Sequence, residues 1–229
     1  MSDRIFLGLD NSMDFLNIAL GTEDRLVEER HMRMERHSSE VLPVRVAQLL
    51  ADHGCAVRDL SALIVTLGPG SFTGVRVALA FCKGLAAGLN IPFFGIPTPD
   101  VLALPFAFME GHYLCPLIDA KKGEVFFALY RVTNGAVVRV DGIHALKPDK
   151  VAESIPAPCL CFGTGVGMSK PALGGIAGVR VIEGEFQRVS GEALLRAGIA
   201  AQALGRRSET KPIYGRRSEA EIRFNVNIP

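Results

Sequence analysis

The hydrophobic pattern of the first residues alternates between short apolar runs and a longer amphipathic stretch. Apolar runs at 5–9 and 15–20, followed by a more polar run at 25–34, predict three consecutive strands with short links. Such strands are typical of an antiparallel meander, with the polar third strand at its edge. The spacing then becomes helical, from serines at 38 and 39 that can cap a helix to a terminating Gly54.

The remaining pattern of the first half predicts strands and helices in alternation, and the second half repeats the same order. In the first half these are a strand at 62–67, a helix at 74–89, a strand at 91–96 and a short helix at 99–109. The second half predicts strands at 113–120, 124–132 and 136–146, a short helix at 147–154, a strand at 158–163, a loop or helix at 163–175, a strand at 179–182 and a closing helix at 190–204.

This repetition predicts two α/β lobes, each built on a mixed sheet with the order βββαβα. We place the N-terminal lobe at residues 1–110 and the C-terminal lobe at 111–229, with a final segment that folds back over the sheet at 212–214. Sheet order cannot be derived from the pattern.

The composition mainly excludes certain classes of protein. Lys and Arg total 25 against 24 for Asp and Glu, so the whole chain has no strong electrostatic attraction to nucleic acid or to an anionic membrane. Five cysteines without a CxxC pair argue against a disulfide framework and a zinc ribbon. The first apolar run is too short for a signal peptide or a membrane span, so we expect a cytoplasmic protein.

Residues 62–89 contain the strongest candidate for chemistry: a strand, a glycine-rich turn GPGSFTG and a helix. The glycine spacing does not match a Walker loop, a dinucleotide-binding fingerprint or a nucleophile elbow. Free amides at the start of the helix could still attract an anion beside Arg76. We favour the alternative, in which Gly68 and Gly70 allow a tight turn and a serine or threonine caps the helix.

The helix at 74–89 is apolar on nearly every side, and Arg76 and Lys83 are its only charges. One face has the spacing of a helix that packs on a sheet. The opposite face is small and apolar too: Val77, Ala80, Phe81, Gly84 and Gly88. Such a helix either lies inside the protein or presents an interaction surface, and periodicity leaves both open.

Six stretches spread over nearly the whole chain carry a family resemblance. They are LGLDNS at 7–12, HSSEVLP at 37–43, LIVTLGPGSFTGVRVALAFCKGLA at 63–86, PTPDVLA at 97–103, LIDAKKGEVFFALY at 117–130 and KPIYGRRSEAE at 211–221. Together they resemble the TsaB family, also called YeaZ, and the GPGSFTGxR stretch is highly specific to it.

The resemblance implies a two-lobed, actin-like or Hsp70-like ATPase (ASKHA) fold, in agreement with the duplicated order of elements. It also implies a noncatalytic scaffold subunit of the bacterial machinery that threonylcarbamoylates N6 of adenosine 37 in tRNA. The implied partners are a TsaD-like catalytic paralogue, a TsaE-like ATPase and, in isolation, a second copy of the chain. Contact with tRNA is expected only through the complex, and no contact with membranes is expected.

In TsaB-like proteins the two helices of the N-terminal lobe form the partner interface, and these correspond here to residues 39–53 and 74–89. The expected interface consists of Val41, Leu42, Val46, Leu49, Ser71, Phe72, Thr73, Arg76, Val77, Ala80, Phe81, Lys83, Gly84 and Ala87.

The nucleotide site of this fold class is expected to survive only as remnants. Asp10 follows the first strand, but Met13 and Asp14 stand where a phosphate would need a glycine. Asp119 begins a turn with two lysines and one glycine, which is equally unsuited to phosphate. The remnant set is Asp10, Ser12, Asp119, Gly163 and Gly165.

No catalytic group, cofactor or metal is expected. TsaD-like relatives hold a metal with an HxxxH pair, and the five histidines here include no pair three or four residues apart. One alternative is a small-molecule kinase or ATPase of the actin-like fold that uses Asp10. Another is direct tRNA recognition by residues 205–223, which contain six basic and three acidic residues.

Overall fold

The computed structural model describes residues 4–33, 38–184, 187–205 and 210–215. The first half contains β1 (Ile5–Asp10), β2 (Phe15–Gly21), β3 (Leu26–Arg33), α1 (Ser38–Asp52), β4 (Leu60–Thr66), α2 (Phe72–Leu89), β5 (Phe93–Ile96) and α3 (Thr98–Ala103). The second half contains β6 (Tyr113–Lys121), β7 (Glu124–Phe127), β8 (Tyr130–Thr133), β9 (Ala136–Arg139), β10 (His144–Leu146), α4 (Pro148–Ser154), β11 (Cys159–Phe162), α5 (Val166–Leu173), β12 (Val179–Val181) and α6 (Gly191–Ala203).

The first sheet has the strand order β3-β2-β1-β4-β5. The predicted meander forms its antiparallel part, and β4 and β5 extend it in parallel because a helix precedes each of them. Side chains alternate between two apolar layers. Leu7 and Leu9 share one layer with Leu42 of α1 and Leu79 of α2, so both helices cover the same face of this sheet.

The closing helix α6 covers the opposite face of the first sheet, although the predicted boundary at residue 111 places it in the C-terminal lobe. Its side chains pack in one cluster with Phe6 and Ile64. The approach is close because two helix positions are glycines. A Cβ at Gly191 would lie 2.5 Å from Ala19 Cβ, and one at Gly198 would lie 2.3 Å from Ile64 Cγ1.

The second sheet has the order β10-β7-β6-β11-β12; in addition, β8 pairs with β6, and β9 pairs with β8. Each of the two long strands predicted at 124–132 and 136–146 is interrupted. The β6–β7 register, continued beyond Phe127, sets Ala128 opposite Pro116, which has no N–H to donate to the ladder. All five cysteines are free thiols, and four of them are buried.

Candidate partner interface

The glycine-rich turn before α2 serves to start the helix. Gly68 has φ 87° and Gly70 has φ 155°, a region that side chains rarely adopt. Ser71 is the N-cap residue, and its Oγ accepts a hydrogen bond from the Gly74 N–H at 3.2 Å. The prediction of a tight turn with a hydroxyl cap is confirmed.

The turn is pressed against the link between β1 and β2, which fills the space that a phosphate would need. A Cβ at Gly70 would lie 1.9 Å from Ser12 O, and one at Gly74 would lie 2.0 Å from Asn11 O. The Ser71 N–H donates to Ser12 O at 2.7 Å, and Asn11 Nδ2 donates to Gly74 O at 3.2 Å. At the start of the helix, the N–H groups of Ser71 and Gly74 therefore already have partners within the chain.

Asp10 stabilises the β1–β2 link against which the glycine-rich turn packs. Its side chain is buried, and Oδ1 accepts hydrogen bonds from Ser12 N–H at 3.1 Å, Ser12 Oγ at 2.5 Å and Thr66 Oγ1 at 2.6 Å. Burial raises the pKa of Asp10 above its ordinary value, and the hydrogen bonds from Ser12 and Thr66 offset only part of that shift. These contacts are those of a residue that fixes a turn.

The raised pKa of Asp10 makes a testable contribution to stability. An acid with a raised folded-state pKa contributes stability below its unfolded pKa, near 3.8, and that contribution is lost as pH rises through the folded pKa. Asp10→Asn cannot ionise. We expect it to be less stable than the wild type at acidic pH, and we expect this deficit to shrink towards neutral pH. Urea unfolding of both proteins over that pH range measures the difference, and a deficit that grows with pH would contradict the assignment.

The second half repeats this arrangement around Asp119. Its carboxylate accepts the Lys121 N–H at 2.7 Å and pairs with Lys121 Nζ at 2.8 Å. The loop after β11 packs on the strand that precedes this turn. A Cβ at Gly163 would lie 2.5 Å from Leu117 O, and the Gly165 N–H donates to the same oxygen at 2.8 Å. A Cβ at Gly165 would also lie 2.7 Å from Val125 Cγ1, so packing inside the chain favours glycine at both positions.

Helix α2 exposes one complete face. Its buried side chains belong to the core shared with the sheet, and Val77 and Phe81 are half-buried at the edges. Within the described parts of the chain, nothing covers the middle of the outward face, and a Cβ added at Gly84 or Gly88 meets no atom within 4 Å. The predicted interface residues that are exposed are Ser71, Phe72, Thr73, Arg76, Ala80, Lys83, Gly84 and Ala87.

Three of the residues predicted for the interface on α1 lie on the side of the helix that faces the core. Leu42, Val46 and Leu49 are buried in the core beneath the helix, and Val41 is half-buried. Their spacing is that of a core-facing stripe, so they pack on the sheet and cannot reach a partner. The outward residues of α1 are instead Val44, which is 55% exposed, and the positions Arg45, Ala47, Gln48 and Ala51.

Residues 210–215, called here the C-terminal strap, lie across the start of α2. Ile213 N–H donates to Leu67 O at 2.7 Å, which ties the strap to the end of β4 in the place where the sequence suggests a return. The Arg76 guanidinium lies 3.8 Å from the centre of the Phe72 ring and donates from Nε to Tyr214 Oη at 2.8 Å. This cluster was missed in the sequence, because only the fold brings Tyr214 to Arg76.

A separate pocket of about 270 Å³ contains none of the predicted site residues. It lies between β3, the residues after α3 and the start of α6, and is lined by Glu29, His31, Leu102, Pro105, Phe106, Arg188, Val189 and Ser190. Among the residues that the structure describes, no group of three or more His, Cys, Asp or Glu side chains is placed to hold a metal ion.

By length and composition, α2 could also cross a membrane, with 18 residues and a mean hydropathy of 1.4. One third of it is buried inside the protein, however, and Ala78, Leu79 and Cys82 belong to the core. A single helix of this kind is weak support for a membrane span, because core helices have the same composition.

Comparison with known proteins relates this architecture to one family. Residues 32–159, more than half of the chain, match the family model described as TsaD, tRNA N6-adenosine threonylcarbamoyltransferase. The tRNA threonylcarbamoyladenosine biosynthesis protein TsaB of Bacillus subtilis is 36% identical over 135 residues, which are 58% of this chain and 58% of that relative. The TsaB protein of Escherichia coli is 28% identical over 222 residues, which are 93% of this chain and 95% of that relative.

A solved structure from Pseudomonas aeruginosa has the same fold over nearly the whole of this chain. That protein, described as similar to the peptidase YeaZ, superposes with a TM-score of 0.76 at 28% identity, and the match covers 93% of this chain and 100% of the solved one. The α/β actin-like ATPase fold with two mixed sheets is thereby confirmed. The chain belongs to the TsaB (YeaZ) family.

Proposed function

We propose that this chain is a noncatalytic, cytoplasmic scaffold subunit in the biosynthesis of threonylcarbamoyladenosine in tRNA. In this proposal the outward face of α2 binds a TsaD-like catalytic paralogue, which modifies N6 of adenosine 37. Without that partner the same face pairs with a second copy. A TsaE-like ATPase and tRNA join only the assembled complex. The observation that carries the proposal is the exposed small-residue face of α2.

This face has the chemistry of a helix–helix contact. It runs along a helix of 18 residues, about 27 Å at about 1.5 Å per residue. Ala80, Gly84 and Ala87 are exposed and have minimal side chains, so a second helix could approach the backbone closely. A glycine in the middle of an exposed helix costs about 1 kcal/mol relative to alanine, a cost that close contact with a partner would offset.

The noncatalytic role is supported by how the nucleotide-site remnants are used. Asp10 and Ser12 bond to each other and to Thr66, and Gly70 and Gly74 press on the backbone beside them. None of these groups points into an open site. A peptidase would need an activated nucleophile. The Ser12 hydroxyl is instead buried, and it donates a hydrogen bond to the Asp10 carboxyl group in the turn.

The kinase or ATPase alternative makes a contrary prediction that calorimetry can test. The backbone of the β1–β2 link occupies the space where a phosphate would approach α2, so we expect no binding of ATP with magnesium at micromolar concentration. Titration of the isolated chain measures this. Micromolar binding that disappears in Asp10→Asn would favour the enzyme and contradict the scaffold.

The experiment that tests the scaffold combines this chain with the purified TsaD-like protein of the same organism. Size-exclusion chromatography should show a joint peak. With an activated threonylcarbamoyl donor and the TsaE-like ATPase also supplied, threonylcarbamoylation of tRNA should require both proteins. Each protein alone should be inactive. A TsaD-like protein that is fully active without this chain, and that does not co-elute with it, would overturn the proposal.

A further inference from the structure

The outward face of α2 has an unbalanced charge. Helix α2 contains two charged side chains, Arg76 and Lys83, and both are basic and exposed. On α1 the exposed Arg45 is accompanied by two exposed acidic residues, Glu40 and Asp52, so α1 adds no basic excess. The whole chain carries 25 basic and 24 acidic residues, so the face of α2 is more basic than the protein as a whole.

The two charges on α2 are placed at the border of its small-residue face. Arg76 is held over the Phe72 ring and bonded through Nε to Tyr214, which leaves its terminal nitrogens for another acceptor. Lys83 follows seven residues later, about 10 Å along the same side of the helix at about 1.5 Å per residue. Within the described residues, neither side chain forms an ion pair with a carboxylate.

We propose that this surface is built for a partner whose apolar docking face is bordered by carboxylates, placed to pair with Arg76 and Lys83. This inference rests on the proposed function and specifies the partner's chemistry. The C-terminal strap contributes by holding Arg76 in position before the partner arrives, so less side-chain freedom is lost on binding.

The same charges disfavour a second copy of this chain. Two copies that meet through α2 bring two identical basic borders together, and like charges across an interface oppose association. Salt screens both the attraction to an acidic partner and the repulsion between two copies, so its effects on the two associations should be opposite. Raising the salt concentration should weaken pairing with the acidic partner, and it should leave self-association unchanged or strengthen it.

The test is a charge reversal measured against the purified TsaD-like protein. We expect Arg76→Glu combined with Lys83→Glu to weaken binding at least about tenfold at low salt, with most of the change in the association rate. The matched control is Lys147→Glu combined with Arg180→Glu, which reverses two exposed charges on the other half of the chain and should bind like the wild type. Surface plasmon resonance at low and high salt gives both the rates and the salt dependence.

Two further variants separate the possible outcomes. Lys83→Glu alone leaves the strap contacts of Arg76 intact and should still weaken binding measurably. Gly84→Glu tests the apolar contact itself. If Gly84→Glu abolishes binding but the charge reversals and salt do not change it, the acidic partner is refuted while the scaffold stands. If none of the three variants changes binding, the proposed interface fails altogether.

Discussion

Replacing Gly84 by glutamate should abolish pairing with the TsaD-like partner while the isolated chain stays folded. Gly84 lies in the middle of the exposed face of α2, and an added Cβ there meets no atom within 4 Å. The fold therefore accommodates the new side chain. In a helix–helix contact, however, the carboxylate would be buried without a counter-charge, at a cost of about 3 kcal/mol or more, which is over a hundredfold in affinity.

The control for this change is Gly175→Glu. Gly175 is also exposed, and an added Cβ also meets no atom within 4 Å, but it lies beyond α5 in the second half of the chain. The Gly175→Glu variant should co-elute with the partner as the wild type does. Thermal unfolding of both variants shows that they are folded. If Gly84→Glu binds the partner with the affinity of the wild type, α2 is not the interface.

The order of strands and helices could be predicted because each element has its own period. The change from the apolar run at 15–20 to helical spacing in α1 can be seen in the sequence, and Gly54 marks the end of that helix. The interruption of the strand predicted at 124–132 was missed because it depends on Pro116 in the neighbouring strand. Pairing across strands is not a local property of the sequence.

The two helices show why an interface was harder to predict than the fold. In α1 the large residues Leu42, Val46 and Leu49 suggest a binding surface by their hydrophobicity, yet the same property buries them in the core. In α2 both faces contain small apolar residues: Ala78 and Ala86 are buried on the sheet, whereas Ala80 and Ala87 are exposed. The apolar pattern of this helix is therefore similar on the two sides, and only its packing on the sheet separates the outward face from the core face.

The position of α6 depends on contacts that no local pattern contains. Its sequence predicts a helix with an apolar stripe, but either sheet could receive that stripe. The first sheet does so because Gly191 and Gly198 allow close approach to Ala19 and Ile64, which lie far away in sequence. The contact between the C-terminal strap and Arg76 is of the same kind.

Replacing Gly74 by alanine should destabilise the protein by about 3 kcal/mol or more. The added Cβ would lie 2.0 Å from Asn11 O, a backbone atom that cannot move aside alone. Relief of the clash requires the start of α2 to separate from the β1–β2 link. That movement breaks the bonds from Ser71 N–H to Ser12 O and from Asn11 Nδ2 to Gly74 O, and it disturbs Asp10 beneath them.

Gly84→Ala is the matched control, because it makes the same chemical change ten residues later in the same helix. Gly84 has open space around it, so the added methyl group only favours helical backbone angles and should stabilise the chain by about 0.5–1 kcal/mol. Urea unfolding of both variants gives the comparison. We expect the free energy of unfolding to fall in Gly74→Ala and to rise in Gly84→Ala. Gly74 is required by its contact with the β1–β2 link, whereas no contact within the described chain requires Gly84. Equal effects would mean that helix propensity, and not the contact with the β1–β2 link, decides the residue at position 74.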